Sequence, residues 1–464
     1  MSKINIVKFI KRDLIEKTII ILASIVFLYL LISIYFAKHY FFGTVINGVN
    51  VSLRSQEDAQ QLIKNSIQDY KLELIERNGA TETISGQELG LLYNENNGMF
   101  EIFQVQNQFK WITFFFEEHR YDVNNLYTYD ESLLKNKIMQ LKCLNRTPKE
   151  SRNVKFKYSN GSYTLVKEVY GNRIRKDRLE ETIKLYILMG KTLLDLNQMK
   201  CYKDPEYTLS SDKTYKTKYI LDKYVSAKIT YLFGNKREIL DGTFINKWLR
   251  VDDNLEVVFN NTAVDNYIKN LSKKYDTVGV TREFKTSTGN VVDVAGGLYG
   301  WKINQEEEIK TLLEHINLGR VIEREPMYMQ RALFRDEDEI GNTYVEINIS
   351  KQHLWFYKDG ELITQGSVVT GNPNRGNATV LGTYMLNYKH KDAPLIGEDY
   401  EVVVTYWMPF FGNQGIHDAI WRRSFGGEIY KRRGSHGCVN APFHLAKAIY
   451  ENIEAGIPII IYEE

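Results

Sequence analysis

Proline, cysteine and net charge are all scarce in this 464-residue sequence, which has 8 prolines, 3 cysteines and a formal net charge of +2. Scarce proline, with 43% hydrophobic and 25% charged residues, argues against long disordered linkers and is typical of folded globular chains. The balanced charge argues against a nucleic-acid-binding protein, which would carry a strongly basic domain. The length exceeds one compact core, so we expect roughly two to four domains.

Charge is entirely absent from residues 18–37, a run of 20 residues. As a helix rising about 1.5 Å per residue, this run spans about 30 Å, the thickness of a bilayer core. The basic residues that precede it are Lys3, Lys8, Lys11, Arg12 and Lys17. This bias predicts a cytoplasmic tail (1–17), a transmembrane anchor (18–37) in the cytoplasmic membrane, and an extracellular remainder. A cleaved signal peptide is the alternative, although no small-x-small cleavage site follows the run.

An odd number of cysteines outside the cytoplasm leaves at least one thiol free or paired between molecules. The sequence leaves open a disulfide between Cys143 and Cys201. Cys438 lies in a glycine-rich stretch, so it is the thiol whose surroundings we consider most closely.

Two segments of the middle region, 130–183 and 264–313, resemble each other. Each is predicted to form a helix, two strands around a polar turn (Asn160-Gly161 and Thr288-Gly289), a Tyr-Gly step and a closing acidic helix. This pattern predicts a duplicated α+β unit rather than a solenoid, because two copies fall short of an array.

Together with a strand and helix predicted over 43–62, the duplicated unit resembles the peptidoglycan-binding domain of cell-surface proteins of Gram-positive bacteria. The resemblance implies two repeats, at 43–205 and 206–322. Repeats that only hold the last domain away from the membrane are an alternative to repeats that bind the cell wall.

An acidic, proline-containing segment, 323–341, is predicted to be a hinge before a region of different texture. Residues 343–357 alternate in polarity, and Lys358-Asp359-Gly360 predicts a hairpin turn. Further strands are predicted at 362–370, 382–388, 401–407 and 457–462, with a closing helix at 442–455. Residues 342–464 should therefore be a mostly-β sandwich, and the whole chain a multidomain α+β protein.

A glycine-rich loop predicted over 411–440 contains the motifs GIHDA (415–419) and SHGCVN (435–440). A thiol becomes a nucleophile when an imidazole takes its proton, and His417 and Cys438 lie in this one loop. The imidazole needs a third group to fix its tautomer, and Asp418 offers a side chain or a carbonyl. Gly437 allows a tight turn whose N–H groups face a developing oxyanion.

A histidine followed by Ser-His-Gly-Cys-hydrophobic-Asn resembles the signature of the YkuD-type L,D-transpeptidase catalytic domain, and the similarity covers 342–462. It includes YWMPF (406–410), HDAIW (417–421) and a Gly-Gly pair (426–427). One departure is Thr379-Val380-Leu381-Gly382, where the family often has Thr-Pro-x-Gly.

The resemblance implies a role for each residue of the motif. Cys438 is expected to be the nucleophile and His417 the general base, with Asp418 orienting His417. Ser435 and His436 are expected to shape the site, and Gly437 and Cys438 to offer oxyanion N–H groups. The residues expected to bind substrate are Trp407, Trp421 and Asn440.

The implied reaction uses no cofactor and no metal. The thiolate releases D-Ala from a tetrapeptide stem of peptidoglycan, and an amine of a second stem resolves the thioester, which forms a 3–3 cross-link. The acceptor residue, diaminopimelate or lysine, stays open. Alternatives are an L,D-carboxypeptidase in which water resolves the thioester, a cysteine endopeptidase, a wall-binding protein whose catalytic domain has lapsed, and zinc held by His417, His436 and Cys438.

Overall fold

The computed structural model describes residues 3–96, 98–115, 119–335, 339–397 and 401–464, with the backbone alone for 3–10. Its helices are α1 (Lys3–Phe36), α2 (Gln56–Gln68), α3 (Met99–Val105), α4 (Glu131–Gln140), α5 (Lys142–Asn145), α6 (Lys176–Leu188), α7 (Asp212–Val225), α8 (Gly242–Ile245), α9 (Asn261–Tyr275), α10 (Gln305–Asn317), α11 (Ile429–Arg433) and α12 (Phe443–Asn452). Short 3₁₀ helices cover Gln87–Leu89, Gln108–Phe114, Asn246–Trp248 and Pro373–Arg375.

The strands of the first half of the chain are β1 (Thr44–Ile46), β2 (Val49–Asn50), β3 (Lys71–Ile75), β4 (Thr81–Ser85), β5 (Leu92–Tyr93), β6 (His119–Tyr121), β7 (Tyr127–Thr128), β8 (Lys155–Ser159), β9 (Ser162–Val166), β10 (Leu193–Asp195), β11 (Lys228–Phe233) and β12 (Lys236–Leu240). Those of the second half are β13 (Leu249–Val251), β14 (Val257–Phe259), β15 (Arg282–Lys285), β16 (Val291–Val294), β17 (Lys302–Ile303), β18 (Val321–Arg324), β19 (Tyr328–Gln330), β20 (Tyr344–Asn348), β21 (His353–Lys358), β22 (Glu361–Ser367), β23 (Gly382–Met385), β24 (His390–Ile396), β25 (Glu401–Phe411), β26 (Gln414–Asp418), β27 (Val439–Ala441) and β28 (Pro458–Tyr462).

Helix α1 contains the apolar run that the sequence predicts as an anchor. Its stretch Lys11–Phe36 is long and apolar enough to cross a membrane, and little of it is buried inside the protein. A membrane anchor and a signal sequence both meet this description.

The chain divides into two compact units, of which the first comprises residues 1–155 and 166–211. Its central strand β3 pairs with β10 in parallel and with β4 antiparallel. Helices α2, α4 and α6 contribute fully buried side chains, including Ile63, Leu134 and Ile183, to one core. Cys143 and Cys201 lie buried in this core as free thiols, so no disulfide joins them.

A helix, a β-hairpin and a second helix occur twice in the same order. The first copy runs α4, β8, β9, α6 and the second runs α9, β15, β16, α10. In the first hairpin, Asn160 and Gly161 both have positive φ, 52° and 83°, as a tight two-residue turn requires. The duplicated α+β region that the sequence predicts is confirmed.

The second unit comprises residues 156–165 and 212–464. Its C-terminal part contains a five-stranded sheet, ordered β22-β21-β20-β28-β23, and a four-stranded sheet, ordered β24-β25-β26-β27. Buried residues of both sheets, such as Phe356, Met408 and Ile461, share one core with α12. The prediction of a β-rich C-terminal domain is confirmed.

The β15–β16 hairpin packs against the five-stranded sheet within this second unit. Phe284 and Val294 of the hairpin share a cluster with Tyr462 of β28. The carboxylate of Glu346, fully buried in β20, accepts from the Ser287 N–H at 2.9 Å.

The segment predicted as a hinge, 323–341, takes part in the same packing. Glu339 forms a buried ion pair with Arg282 at 2.7 Å. Residues 336–338 of this segment lie outside the described residues, and its role as a hinge stays a prediction.

Candidate active site

Strand β26 sets the positions of the chemically interesting side chains. It lies between β25 and β27, and in register Trp407 is opposite His417, which is opposite Asn440. Because paired residues of neighbouring strands lie on the same face, Asn440 lies on the face that His417 occupies, and Cys438, directly before β27, lines the same cavity as both. The sequence predicts a long loop here, and the structure instead places His417 within a strand.

Cys438 borders a cavity of about 390 Å³. The cavity is lined by Leu395, Val402, His417, Trp421, Arg422, Gly434, Ser435, His436, Cys438 and Asn440. The thiol is 8% exposed, and its Sγ donates to the carbonyl oxygen of Asn413 at 3.3 Å. Burial raises the pKa of the Cys438 thiol to about 11, and a hydrogen bond with the Gly415 backbone opposes part of this rise. At neutral pH the group is therefore a protonated thiol.

The imidazole of His417 is buried and held in one tautomer. Its Nδ1 lies 2.9 Å from the carbonyl oxygen of Asp418, and because a carbonyl only accepts, Nδ1 carries the proton. Burial lowers the pKa of His417, which keeps the ring neutral at pH 7 and leaves a lone pair on Nε2. Of the two groups that Asp418 offers, the carbonyl contacts His417, while the carboxylate accepts from the Tyr406 N–H at 2.7 Å.

Asn440 connects His417 to a guanidinium group. In the amide orientation that satisfies both neighbours, Nδ2 donates to His417 Nε2 at 3.1 Å. The amide oxygen then accepts from Arg422 Nε at 2.8 Å and Nη2 at 3.2 Å. Asn440, predicted to bind substrate, thus donates a hydrogen bond to the lone pair of His417 Nε2 in this structure.

The Ser435–Cys438 turn is closed by its own hydrogen bonds. Ser435 Oγ donates to the Cys438 carbonyl at 2.5 Å and accepts from the Gly437 N–H at 3.1 Å. Gly437 has φ of +119°, and a Cβ there would lie 2.6 Å from the Gln414 side chain, so both conformation and space require glycine. His436 is exposed and borders the cavity.

Two tryptophans flank His417, each with a ring centroid 5.9 Å from the imidazole. Trp407 is buried and packs with Cys438 in a small apolar cluster. Trp421 is 48% exposed and borders the cavity. Their predicted substrate contacts stay predictions, with Trp421 in the better position to make one.

Thr379 is a residue of this site to which the sequence assigns no role. Its buried hydroxyl donates to the Gly437 carbonyl at 2.8 Å and accepts from the Gly371 N–H at 2.8 Å. The following residue, Val380, donates its N–H to the Gln414 side chain at 3.1 Å, which a proline in that position could not do. Thr379 is therefore bonded to the turn that carries Cys438, and the Gln414 side chain, which lies beside Gly437, is bonded to the residue after Thr379.

The change Thr379→Val should misplace Cys438, because it removes a hydroxyl without changing the shape of the side chain. We expect kcat to fall about 10- to 100-fold, since a small displacement of reacting groups has effects of this size. Measuring kcat and KM separately checks this expectation. Thr379→Ser keeps the hydroxyl and should restore kcat, whereas an unchanged kcat in Thr379→Val would show that the hydroxyl does not position the turn.

Arg422 is a second residue that the sequence does not single out. It is partly buried at the cavity wall, and Nη1 donates to the Arg433 carbonyl at 2.7 Å. Burial lowers the pKa of the Arg422 guanidinium, and the charge of Arg433 adds to this effect. Among the residues that the structure describes, no carboxylate forms an ion pair with it.

Two family models match this chain, one over its C-terminal domain and one over its middle region. Residues 342–461 match the YkuD model, described as “L,D-transpeptidase catalytic domain”. Residues 82–192 and 208–322 match the model described as “Putative peptidoglycan binding domain”. The peptidoglycan-binding region that the sequence suggests is therefore confirmed as a family match, and it occurs twice.

Solved structures similar to this chain include three from L,D-transpeptidases. The avibactam carbamoyl enzyme of Ldtfm is 30% identical over 54% of this chain and 99% of that chain, with a TM-score of 0.45. A cysteine-to-serine mutant of Enterococcus faecium L,D-transpeptidase is 30% identical over 54% of this chain and 100% of that chain, with a TM-score of 0.44. The catalytic domain from E. faecium L,D-transpeptidase acylated by ertapenem is 38% identical over 26% of this chain and 97% of that chain, with a TM-score of 0.25.

Among curated protein sequences, none matches this chain. The family models and the 30% identity over nearly the full length of a relative nevertheless agree with each other and with the motif around Cys438. The chain belongs to the L,D-transpeptidase family, with its catalytic domain preceded by a peptidoglycan-binding region.

Proposed function

We propose that the chain forms 3–3 cross-links in peptidoglycan through a thioester on Cys438. The observation that carries this proposal is the shared cavity: a thiol and a neutral imidazole of fixed tautomer both line it. A thiol nucleophile and an adjacent base are the two groups that acyl transfer requires. The donor is a tetrapeptide stem, and the acceptor is an amine on the third residue of another stem.

In the first step, His417 Nε2 takes the proton of Cys438 Sγ, and the thiolate attacks the carbonyl carbon before D-Ala. The carbon–nitrogen bond breaks, the imidazolium returns its proton to the leaving D-Ala amine, and a thioester forms. Before this transfer, two hydrogen bonds of the resting site must break: the bond from the thiol to the Asn413 carbonyl and the bond from the Asn440 amide to His417 Nε2. The thiol then donates its hydrogen bond to Nε2. Asp418 keeps the imidazole oriented through its carbonyl.

In the second step, the acceptor amine attacks the thioester carbonyl and loses its proton to His417. The carbon–sulfur bond breaks, and the thiolate recovers that proton. In both steps, the N–H groups of Gly437 and Cys438 donate hydrogen bonds to the negatively charged oxygen that forms on the attacked carbonyl. Since the Gly437 N–H is bonded to Ser435 Oγ before substrate arrives, it changes partner during the reaction.

The resting groups are both neutral, with a raised thiol pKa and a lowered imidazole pKa. A thiolate–imidazolium pair therefore does not persist in the empty site, and the thiolate forms only as the substrate is attacked. This state suits an enzyme exposed to oxidants outside the cell, because the thiolate is the form that oxidises.

Arg422 is proposed to bind the carboxylate of the D-Ala leaving group. That carboxylate lies one residue beyond the attacked carbonyl. Arg422, which forms no ion pair with a carboxylate among the described residues, contributes a positive charge to the wall of the same cavity. A planar guanidinium binds carboxylates in a bidentate manner, which also fixes the orientation of the scissile bond.

Arg422→Gln should therefore lower kcat/KM for a free-carboxylate donor about 10- to 100-fold, the effect of losing one charge-assisted hydrogen bond. A donor ending in a carboxamide should be used equally well by the variant and the wild type. Arg423→Gln, at the exposed neighbouring position, is the matched control and should behave as wild type. If Arg422→Gln lowered kcat/KM equally with both donors, Arg422 would act only by positioning Asn440 and would not bind the D-Ala carboxylate.

The cellular arrangement follows from α1 and the peptidoglycan-binding region. We propose that α1 crosses the cytoplasmic membrane with its N-terminus inside and that the catalytic domain faces the cell wall. The repeats 43–205 and 206–322 precede the catalytic domain in the chain and bind the peptidoglycan on which it acts.

Incubating the full-length chain in detergent with a disaccharide-tetrapeptide tests this function. Mass spectrometry should find released D-Ala and a dimer joined between third residues. Release of D-Ala without any dimer would identify a carboxypeptidase, and neither product would contradict the proposal. Activity that survives a chelator would exclude the zinc alternative.

A further inference from the structure

Residues 99–115, here named the aromatic segment, keep large apolar side chains on the protein surface. The segment comprises α3 and the 3₁₀ helix Gln108–Phe114. About half or more of each of the following side chains is exposed: Phe100, Val105, Phe109, Ile112 and Phe115. Five large apolar side chains left exposed along one segment of 17 residues favour a site that contacts something other than water.

The aromatic segment packs along the outer end of α1, within the first unit. Tyr29 donates its hydroxyl to the Phe109 carbonyl at 2.5 Å. The Trp111 ring lies 5.9 Å from the Tyr29 ring and 6.2 Å from the Phe36 ring. On this face of α1, Ser33 and Phe36 are only 1% and 2% exposed. The opposite face stays open to its surroundings.

The position of Tyr29 along α1 fixes the depth of this contact. Tyr29 lies eight residues before Ala37, the last residue of the predicted span, which is about 12 Å along the helix axis. If the level of Phe109 were in water, only residues 18–28 would be left to cross the membrane. As a helix, those eleven residues span about 16 Å, which is about half the thickness of a bilayer core.

The composition and hydrogen bonding of the segment suit the boundary between lipid and water. Lys110 is the only charged residue in the 3₁₀ helix, which also contains three aromatic residues. Aromatic rings are favoured at this boundary. Several backbone N–H groups are already bonded, as for Lys110 to the Asn107 carbonyl at 2.8 Å and Phe115 to the Ile112 carbonyl at 3.3 Å, which lowers the cost of leaving water.

We propose that the aromatic segment inserts into the outer leaflet beside α1. This inference rests on the proposal that α1 spans the membrane. The first unit is then attached to the bilayer at two places, the helix and the segment, so that it cannot tilt or rotate freely about a single tether. The partner of this surface is the lipid bilayer itself.

Site-specific fluorescence on the full-length chain tests the insertion. Ile112→Cys is labelled with the environment-sensitive fluorophore NBD, in a Cys438→Ser background that removes the thiol of the cavity. The other two cysteines are 0% and 4% exposed and should not label in the folded chain. The chain is placed in liposomes of phosphatidylethanolamine and phosphatidylglycerol, with or without lipids brominated on the acyl chains. Leu185→Cys, 47% exposed on α6 of the same unit, is the matched control.

Brominated lipids should quench NBD at residue 112 and leave NBD at residue 185 unchanged. Phe115→Cys offers a second labelling site with the same expected result. If the chain floats with the liposomes after an alkaline carbonate wash but neither site on the segment is quenched, the insertion is wrong and the anchor holds. If the chain does not float at all, the anchor proposal fails and the insertion fails with it. Equal quenching at residues 112 and 185 also overturns the insertion.

Discussion

Replacing Cys438 with alanine is expected to lower the rate of D-Ala release from a tetrapeptide stem by at least about 10³-fold, because no other group in the cavity can form the thioester. What survives would be the contribution of binding and oxyanion N–H groups alone. The rate is measured as D-Ala release at saturating donor.

The matched control for Cys438→Ala is Cys143→Ala, which also removes a buried free thiol. Burial raises the pKa of Cys143 to about 12, and Cys143 belongs to the core of the first unit, whereas Cys438 belongs to the second. The control variant should retain the wild-type rate. Full activity in Cys438→Ala would mean that the thiol is not the nucleophile.

Replacing His417 with glutamine is expected to lower kcat/KM about 10²- to 10⁴-fold at pH 7, the range that a positioned general base contributes. The protonated thiol, with a pKa of about 11, then has no base to take its proton. His444→Gln, at an exposed position on α12, is the control and should leave the rate unchanged.

The pH profiles of wild type and His417→Gln should differ in a definite direction. Burial lowers the pKa of His417 below its ordinary value of 6.5, so wild-type activity should persist at pH 6.5 and fall only at lower pH, as the ring becomes charged. In the variant, the rate should instead rise about tenfold per pH unit toward the thiol pKa of about 11, because only the free thiolate reacts. A flat profile in the variant would contradict the role of His417 as base.

Local turn chemistry made part of the catalytic fold predictable. The predicted turn at Lys358-Asp359-Gly360 joins β21 to β22, and Asp359 and Gly360 have positive φ of 52° and 84°. Residues 343–357, which alternate in polarity, form two antiparallel strands, β20 and β21. Gln352 takes φ of 47° at the reversal, where its buried side chain bonds to the Ile349 carbonyl and Thr370. A turn that is stabilised by a residue distant in sequence, as here by Thr370, leaves no recognisable pattern in the residues of the turn itself.

The candidate site was likewise predictable from sequence where the signal is local, and not where it depends on tertiary contacts. The spacing of GIHDA and SHGCVN predicts that a thiol and an imidazole meet, and both groups line one cavity. Strand β26 was missed because its Gln-Gly-Ile-His-Asp sequence lacks alternation, since polar residues are buried there between two paired neighbours. Arg422 lies in the predicted loop directly after HDAIW, and Thr379 lies earlier in the chain, but neither residue type indicates by itself that its side chain borders or supports the site.

The aromatic segment could not be assigned from sequence for a related reason. Apolar and aromatic residues interspersed with polar ones, as in this segment, are as compatible with core packing as with contact with lipid. The contacts of Phe109 and Trp111 with Tyr29 relate the segment to a level along α1.

The most direct test of the account is the acyl-enzyme itself. The full-length chain is mixed with a tetrapeptide donor in the absence of acceptor, quenched in acid within seconds, digested and analysed by mass spectrometry. We expect the peptide containing Cys438 to gain the mass of the donor less D-Ala, and hydroxylamine to remove this mass as it does from a thioester. An unmodified Cys438 peptide, while D-Ala is released at the wild-type rate, would contradict it.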